Sequence, residues 1–225
     1  MSSLAPAPLT GKRRSPAPLR ARTVLTLFSG RDDIGSHRVR ILLAAKGVTH
    51  ERIVIDAERP PLELTQLNPL GTTPTLVDRD LCLTESDIIG EYLEERYPHP
   101  ALLPLDPQGR ARVRLSLRRI EREWLSLAES IRAGGTKAQL DAARKRLKEG
   151  LVGAVPVFKA SKFFLNPEMS VVDCALAALV WRLPALGVNL GKEGQAVLDY
   201  GERFFRNPAY NRSMTEQERS LRPLA

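Results

Sequence analysis

Ser29 and Ser36 place hydroxyls at the two ends of a short polar loop that also holds Asp33, and His37 follows directly. A hydroxyl where an apolar run hands over to a helical one can donate to a bound anion or thiolate. Ser29, at the end of the apolar run, is the better placed of the two. No Ser-His-Asp order surrounds His37, so it reads as a surface or supporting residue rather than a base. Glu85-Ser86 precedes a second helical run, and Ser86 is predicted to cap its amide groups, with or without a ligand. Ser170-Val-Val-Asp173 has the spacing of a capping box, a structural device. The three histidines (His37, His50, His99) are dispersed and none has a partner at metal-binding spacing. No glycine-rich phosphate loop of the P-loop or dinucleotide type is present. Cys82 and Cys174 are too few for a disulfide framework or a thiolate zinc site. Both read as inert, and a reducing, cytoplasmic setting is the simplest expectation.

The elements that must position these groups follow from hydropathy patterning. Thr23-Val-Leu-Thr-Leu-Phe28 is β-branched and apolar, a buried strand. Ser36–Lys46 has helical spacing of apolar residues, with Gly47 as its stop, and Thr49–Asp56 reads as a second strand, giving a βαβ unit. A short helix over Leu62–Leu67 comes next. A hairpin of Thr75–Val77 and Leu81–Leu83 turns through Asp78-Arg79-Asp80, and a helix runs from Ser86 to about Arg96. The order β-α-β-α-β-β-α is that of a thioredoxin-like α/β domain with a mixed four-stranded sheet. Beyond Pro104 the pattern is all-helical. Val113, Leu117, Ile120, Trp124, Leu127 and Ile131 form one apolar stripe, Val171 to about Leu183 is apolar nearly all round, and Gln195–Phe205 is a further helix. The expected organisation is a tail over 1–22, a thioredoxin-like domain over 23–100, a linker over 101–108 and an all-α domain over 109–225.

Charge narrows the function classes. The 225 residues carry a net charge of +8. Five basic side chains and no acid lie in residues 1–22, a proline-rich segment read as disordered, so the remainder carries 29 basic and 26 acidic groups. That near balance does not favour a folded DNA-reading face, and no sequence-specific DNA binding is expected. The longest weakly charged stretch, Met169–Val180, is well short of the ~20 apolar residues a membrane span needs. Arg110, Arg114, Arg118 and Arg122 repeat at i, i+4 beside the apolar stripe, either a solvated face or a docking surface. Pro98-His99-Pro100 ends the first domain. Its prolines restrict the backbone around an exposed imidazole, either as a helix terminator or as a preorganised recognition patch.

Three stretches carry a resemblance. They are Thr26-Leu-Phe-Ser-Gly30 with Asp33-Ile34, Ser36-His37 and Val39-Arg40; Pro69 and Thr73-Pro74-Thr75-Leu76-Val77-Asp78 with Glu85-Ser86; and Glu91-Tyr92-Leu93 with Arg96-Tyr97-Pro98-His99-Pro100. Together they resemble the glutathione transferase fold family from Thr23 to about Leu221, and within it a bacterial branch that associates with RNA polymerase. The resemblance implies a cis-proline at Pro74, whose backbone meets the cysteinyl part of glutathione, and an acidic-serine pair for its glutamyl end at Glu85-Ser86. Ser29, Asp33, Ser36, Thr73, Pro74, Glu85 and Ser86 would form a vestigial glutathione pocket. Thiol-dependent relatives carry Cys-Pro-Phe-Ser where this chain has Asp33-Ile34-Gly35-Ser36. A carboxylate has no proton to donate and raises the pKa of a nearby thiol, opposite to what such catalysis requires. The resemblance thus implies no catalytic residue, no cofactor and no metal. It implies a regulator that binds RNA polymerase holoenzyme and its primary sigma factor through Pro98, His99 and Pro100, in starvation or stress. It also implies a homodimer, or a heterodimer with a paralogue. The rivals are an active glutathione-dependent transferase, isomerase or reductase using Ser29 or Ser36, and a non-catalytic ligand-binding module.

Overall fold

A computed structural model describes residues 22–222. The expectation of a disordered tail falls outside them, except at Arg22, which opens the first strand. Strands β1 (Arg22–Gly30), β2 (Glu51–Ile55), β3 (Thr75–Arg79) and β4 (Leu81–Thr84) form one sheet in the order β2-β1-β3-β4. β1 runs parallel to β2, with Thr26 opposite Glu51, and antiparallel to β3, with Leu27 opposite Leu76. The parallel pair requires a crossover, supplied by α1 (Ile34–Ala45). Gly47 ends that connection at φ +65°, a left-handed conformation that glycine adopts without a Cβ clash.

Alternation in β1 divides the core. Leu25 and Leu27 face the main cluster, while Phe28 joins Ile55, Leu64 and Val77 on the opposite face. The short α2 (Leu62–Leu67) covers that smaller cluster through Leu64. On the main face lie α1 and α3 (Ser86–Arg96).

The helical part begins with α4 (Pro107–Ile120), whose N-cap Asp106 accepts from the Gly109 amide at 2.7 Å, with proline in the first turn. A single π-helical turn, Glu121–Leu125, joins it to α5 (Ser126–Ala133), so the apolar stripe read from the sequence runs through one continuous rod. Helices α6 (Lys137–Gly153), α7 (Val155–Ala160), α8 (Val171–Arg182) and α9 (Gln195–Phe205) follow. Every residue of α8 is buried, which explains why it is apolar all round. Two short helices close the chain back onto the first domain: α10 (Pro208–Ser213) packs on α1, and α11 (Glu216–Ser220) starts from a capping box of Thr215 and Glu218. Among the described residues no helix is long and apolar enough to cross a membrane.

Candidate functional site

The loop between β1 and α1 uses its polar groups internally. Asp33 is the N-cap of α1 and accepts from the Ser36 amide at 2.6 Å, while its other carboxylate oxygen accepts from the Thr73 hydroxyl at 3.3 Å. The carboxylate folds over Gly30 so closely that a Cβ there would sit 1.8 Å from Asp33 Oδ2. Ser36 Oγ accepts from the Gly30 amide at 2.9 Å. Ser29 Oγ donates to the Gly30 carbonyl at 3.0 Å and accepts from the Arg40 guanidinium. Both serines are fully buried. Ser29 gives its proton to the Gly30 carbonyl, and Ser36, whose oxygen accepts, is enclosed away from any thiolate. Across the loop, the Thr73-Pro74 peptide is cis, as the resemblance implied.

Glu85 and Ser86 differ from the expectation. The N-cap of α3 is Glu85, not Ser86; it sits at φ +65° and its side chain makes no capping bond. Ser86 is the first helical residue, and its Oγ accepts from Arg38 Nη1 at 3.3 Å. The sequence placed the cap one residue late because serine outranks glutamate as a cap. Arg38 also reaches Glu121 of the π-helical turn at 2.7 Å and so ties the thioredoxin-like part to the helical part.

Behind the loop lies a cluster of buried charge that local spacing did not reveal. Glu218 accepts from Arg40 Nη2 at 2.5 Å and from Arg182 Nη2, and its second oxygen accepts from the Thr215 amide at 2.9 Å. Arg40 further donates to the Ser213 carbonyl at 2.7 Å, and Arg182 to the carbonyls of Asp32 and Ala178 at 2.9 and 2.8 Å. His37, expected to be a surface or supporting residue, is fully enclosed here. Arg182 Nη1 lies 2.8 Å from its Nδ1, which must therefore accept, and Nε2 donates to Ser213 Oγ at 3.2 Å. Burial, then Arg182 and Arg40, push its pKa well below the ordinary value, so the ring is neutral. The Thr215-x-x-Glu218 capping spacing was the one sequence signal for this cluster.

Pro98, His99 and Pro100 are all exposed, and the His99-Pro100 peptide is cis. Lys46, the C-cap of α1, extends beneath them. Its ammonium donates to the carbonyls of Tyr97 and Pro100 at 2.7 and 2.9 Å and pairs with Glu94 Oε1 at 2.6 Å. Both side chains are at most 4% exposed. Glu94 in turn accepts from the Leu102 amide at 3.1 Å. The carbonyl just before the tripeptide and that of its last residue are thus held from inside the protein.

Other expected sites are structural. In the helical domain Asp173 accepts from the Ser170 and Phe164 amides at 2.7 and 2.8 Å and from the Tyr200 hydroxyl at 2.7 Å, and Ser170 caps α8. Burial raises the pKa of Asp173 and of the Cys174 thiol beside it, and also that of Cys82. Of the arginine ribbon, Arg114 makes a two-point pair with Glu91 at 2.8 and 2.5 Å, and Arg118 lies 3.8 Å from Glu121. Among the described residues no group of three or more His, Cys, Asp or Glu side chains is placed to hold a metal ion.

Residues 23–95 match the family described as glutathione S-transferase, N-terminal domain. Among solved structures, the Tau class glutathione S-transferase of mango (Mangifera indica) is 25% identical at TM-score 0.74, covering 88% of this chain and 96% of that one. A glutathione S-transferase from Rhodospirillum rubrum superposes at TM-score 0.76 and 22% identity over 89% and 96% of the two chains, a likeness of fold alone. Full-length relatives carry a different name. The stringent starvation protein A homolog of Haemophilus influenzae is 46% identical over 199 residues, 87% of this chain and 92% of that one. The homolog of Coxiella burnetii is 44% identical over 202 residues, 89% and 96% of the two. Relatives this similar, over 87% and 89% of a chain that carries the glutathione transferase fold, show that the chain belongs to the stringent starvation protein A family.

Proposed function

We propose that this protein is a non-catalytic regulator that docks on RNA polymerase holoenzyme, at its primary sigma factor, through Pro98-His99-Pro100. The observation that carries the reading is the exposed tripeptide held from beneath by the buried Lys46–Glu94 pair. A patch fixed before binding loses little conformational entropy on association. The burial of Ser29 and Ser36, with the Ser29 proton held by the Gly30 carbonyl, favours the same reading, since a glutathione-dependent enzyme needs an accessible donor beside the sulfur. The glutathione S-transferase match over residues 23–95 favours the enzymatic rival, and it fits equally a retained scaffold.

The test is affinity for the sigma-containing polymerase. His99→Ala should bind roughly tenfold or more weakly, as truncation of a central anchor typically does, with an unchanged melting curve. A Lys46→Met/Glu94→Gln double variant should bind more weakly while His99 remains. Undiminished binding by His99→Ala, with loss on Arg118→Ala, would move the surface to the arginine ribbon and refute this assignment.

A further inference from the structure

The opposite end of α1 from the Asp33 loop borders a cleft of about 250 Å³, lined by Leu43, Ala44, Val48, His50, Arg52 and Arg212 among others. Three elements bring its nitrogen-bearing side chains together: the α1–β2 connection supplies His50, β2 supplies Arg52 and α10 supplies Arg212. Among the described residues no carboxylate lines the cleft. Both arginines are exposed, and among the described residues neither guanidinium has an ion pair or hydrogen bond. Other exposed arginines do have a partner, such as Arg31 with Asp56 and Arg114 with Glu91. Beneath the cleft, Arg40 lines its floor and belongs to the buried cluster in which two guanidinium groups share the single carboxylate of Glu218 with a neutral His37. The field of that cluster adds to the positive potential of the rim. His50 Nδ1 is 2.9 Å from the Val48 carbonyl and donates to it, which leaves Nε2 as the ring's other polar atom.

We propose that this cleft binds a small organic phosphate, with the phosphoryl oxygens between Arg52 and Arg212 and the carbon portion on the Leu43–Val48 wall. Two unpaired guanidinium groups are matched to a dianionic group with several acceptor oxygens. Like charges gathered without a counter-charge repel one another, and an anion between them removes that cost. The volume is below the 300–1,000 Å³ of pockets for drug-sized ligands, so the occupant is compact. The site lies apart from the Asp33 loop and from Pro98-His99-Pro100, and the inference does not depend on the polymerase reading.

Calorimetric titration of the full-length protein with n-butyl phosphate and with inorganic phosphate, at matched ionic strength, tests it. Saturable binding is expected, tighter for the alkyl ester by roughly fivefold or more because its chain leaves water. Arg52→Ala and Arg212→Ala should each weaken it about tenfold, with unchanged unfolding curves because neither guanidinium has a partner to lose. Equal affinity for the two ligands would overturn the role of the apolar wall. Absence of saturable binding, or binding that survives both substitutions, would overturn the site. Binding of single-stranded DNA that depends on the same arginines, without binding of the ester, would make this a polyanion surface and overturn the proposal as well.

Discussion

Glu218→Ala is the sharpest perturbation of this molecule. The carboxylate has no solvent exposure, and it accepts from Arg40, Arg182 and the Thr215 amide. Its loss leaves two guanidinium groups, 1% and 3% exposed, with no counter-ion. Breaking a buried ion pair from one side costs about 3–5 kcal/mol, because the remaining charge stays desolvated. At roughly 2–4 °C per kcal/mol for a chain of this size, the melting midpoint should fall by about 6–20 °C. The loss also removes the bonds that seat α11, so the denaturant dependence of unfolding should lose cooperativity before the main transition. Thermal and urea unfolding followed by far-ultraviolet circular dichroism measures both. Glu218→Gln keeps the shape and one acceptor, and should fall between the alanine variant and the native protein. A midpoint shift under 2 °C for Glu218→Ala would mean that water reaches the arginines, and the account of a sealed charge cluster would be wrong.

Two further outcomes follow from the same geometry. His37 is neutral in the folded protein and its pKa there is lowered, so below about pH 6.5 the unfolded chain takes up a proton that the folded one does not. Stability should therefore fall with acidification by up to about 1.4 kcal/mol per pH unit from this group, and His37→Gln should remove that contribution to the slope of unfolding free energy against pH. An identical slope in the variant would show that the buried ring is already protonated. Gly30→Ala drives a methyl group into Asp33 Oδ2 and to 2.8 Å from Thr73 Oγ1, and should cost about 1–3 kcal/mol in urea unfolding by displacing the helix cap; a loss below about 0.5 kcal/mol would mean that the loop relaxes freely.

Much of the scaffold was legible because its signals are local. The apolar run of β1, the glycine after α1 and the all-round hydropathy of α8 each report a short-range pattern, and Leu62–Leu67 and Gln195–Phe205 have the bounds that the sequence predicted. The buried charges were not legible for the same reason. Arg38, Arg40 and Lys46 read locally as ordinary surface charges, yet α1 is enclosed by the sheet on one side and by α8 and α10 on the other. Their partners come from remote segments, with Glu121 83 residues from Arg38 and Glu218 178 residues from Arg40. Asp33 was recognisable by motif, but its role was not. The sequence showed a carboxylate in place of a thiol; the structure adds that the carboxylate caps α1 and closes over Gly30.

The distance in sequence between Arg40 and Glu218 also sets an order of events during synthesis. The ribosome releases the thioredoxin-like part first, with Arg40 on α1, while the anion that pairs with it and the helices that enclose it are still to be translated. The nascent first domain therefore carries an uncompensated guanidinium until residues beyond Glu218 clear the exit tunnel. It can reach full stability only once Glu218 has emerged and paired with Arg40. A message truncated a few codons before Glu218 would yield a product whose defect appears in the domain made earliest, and such a fragment should be a substrate for quality-control proteases rather than a partly working protein.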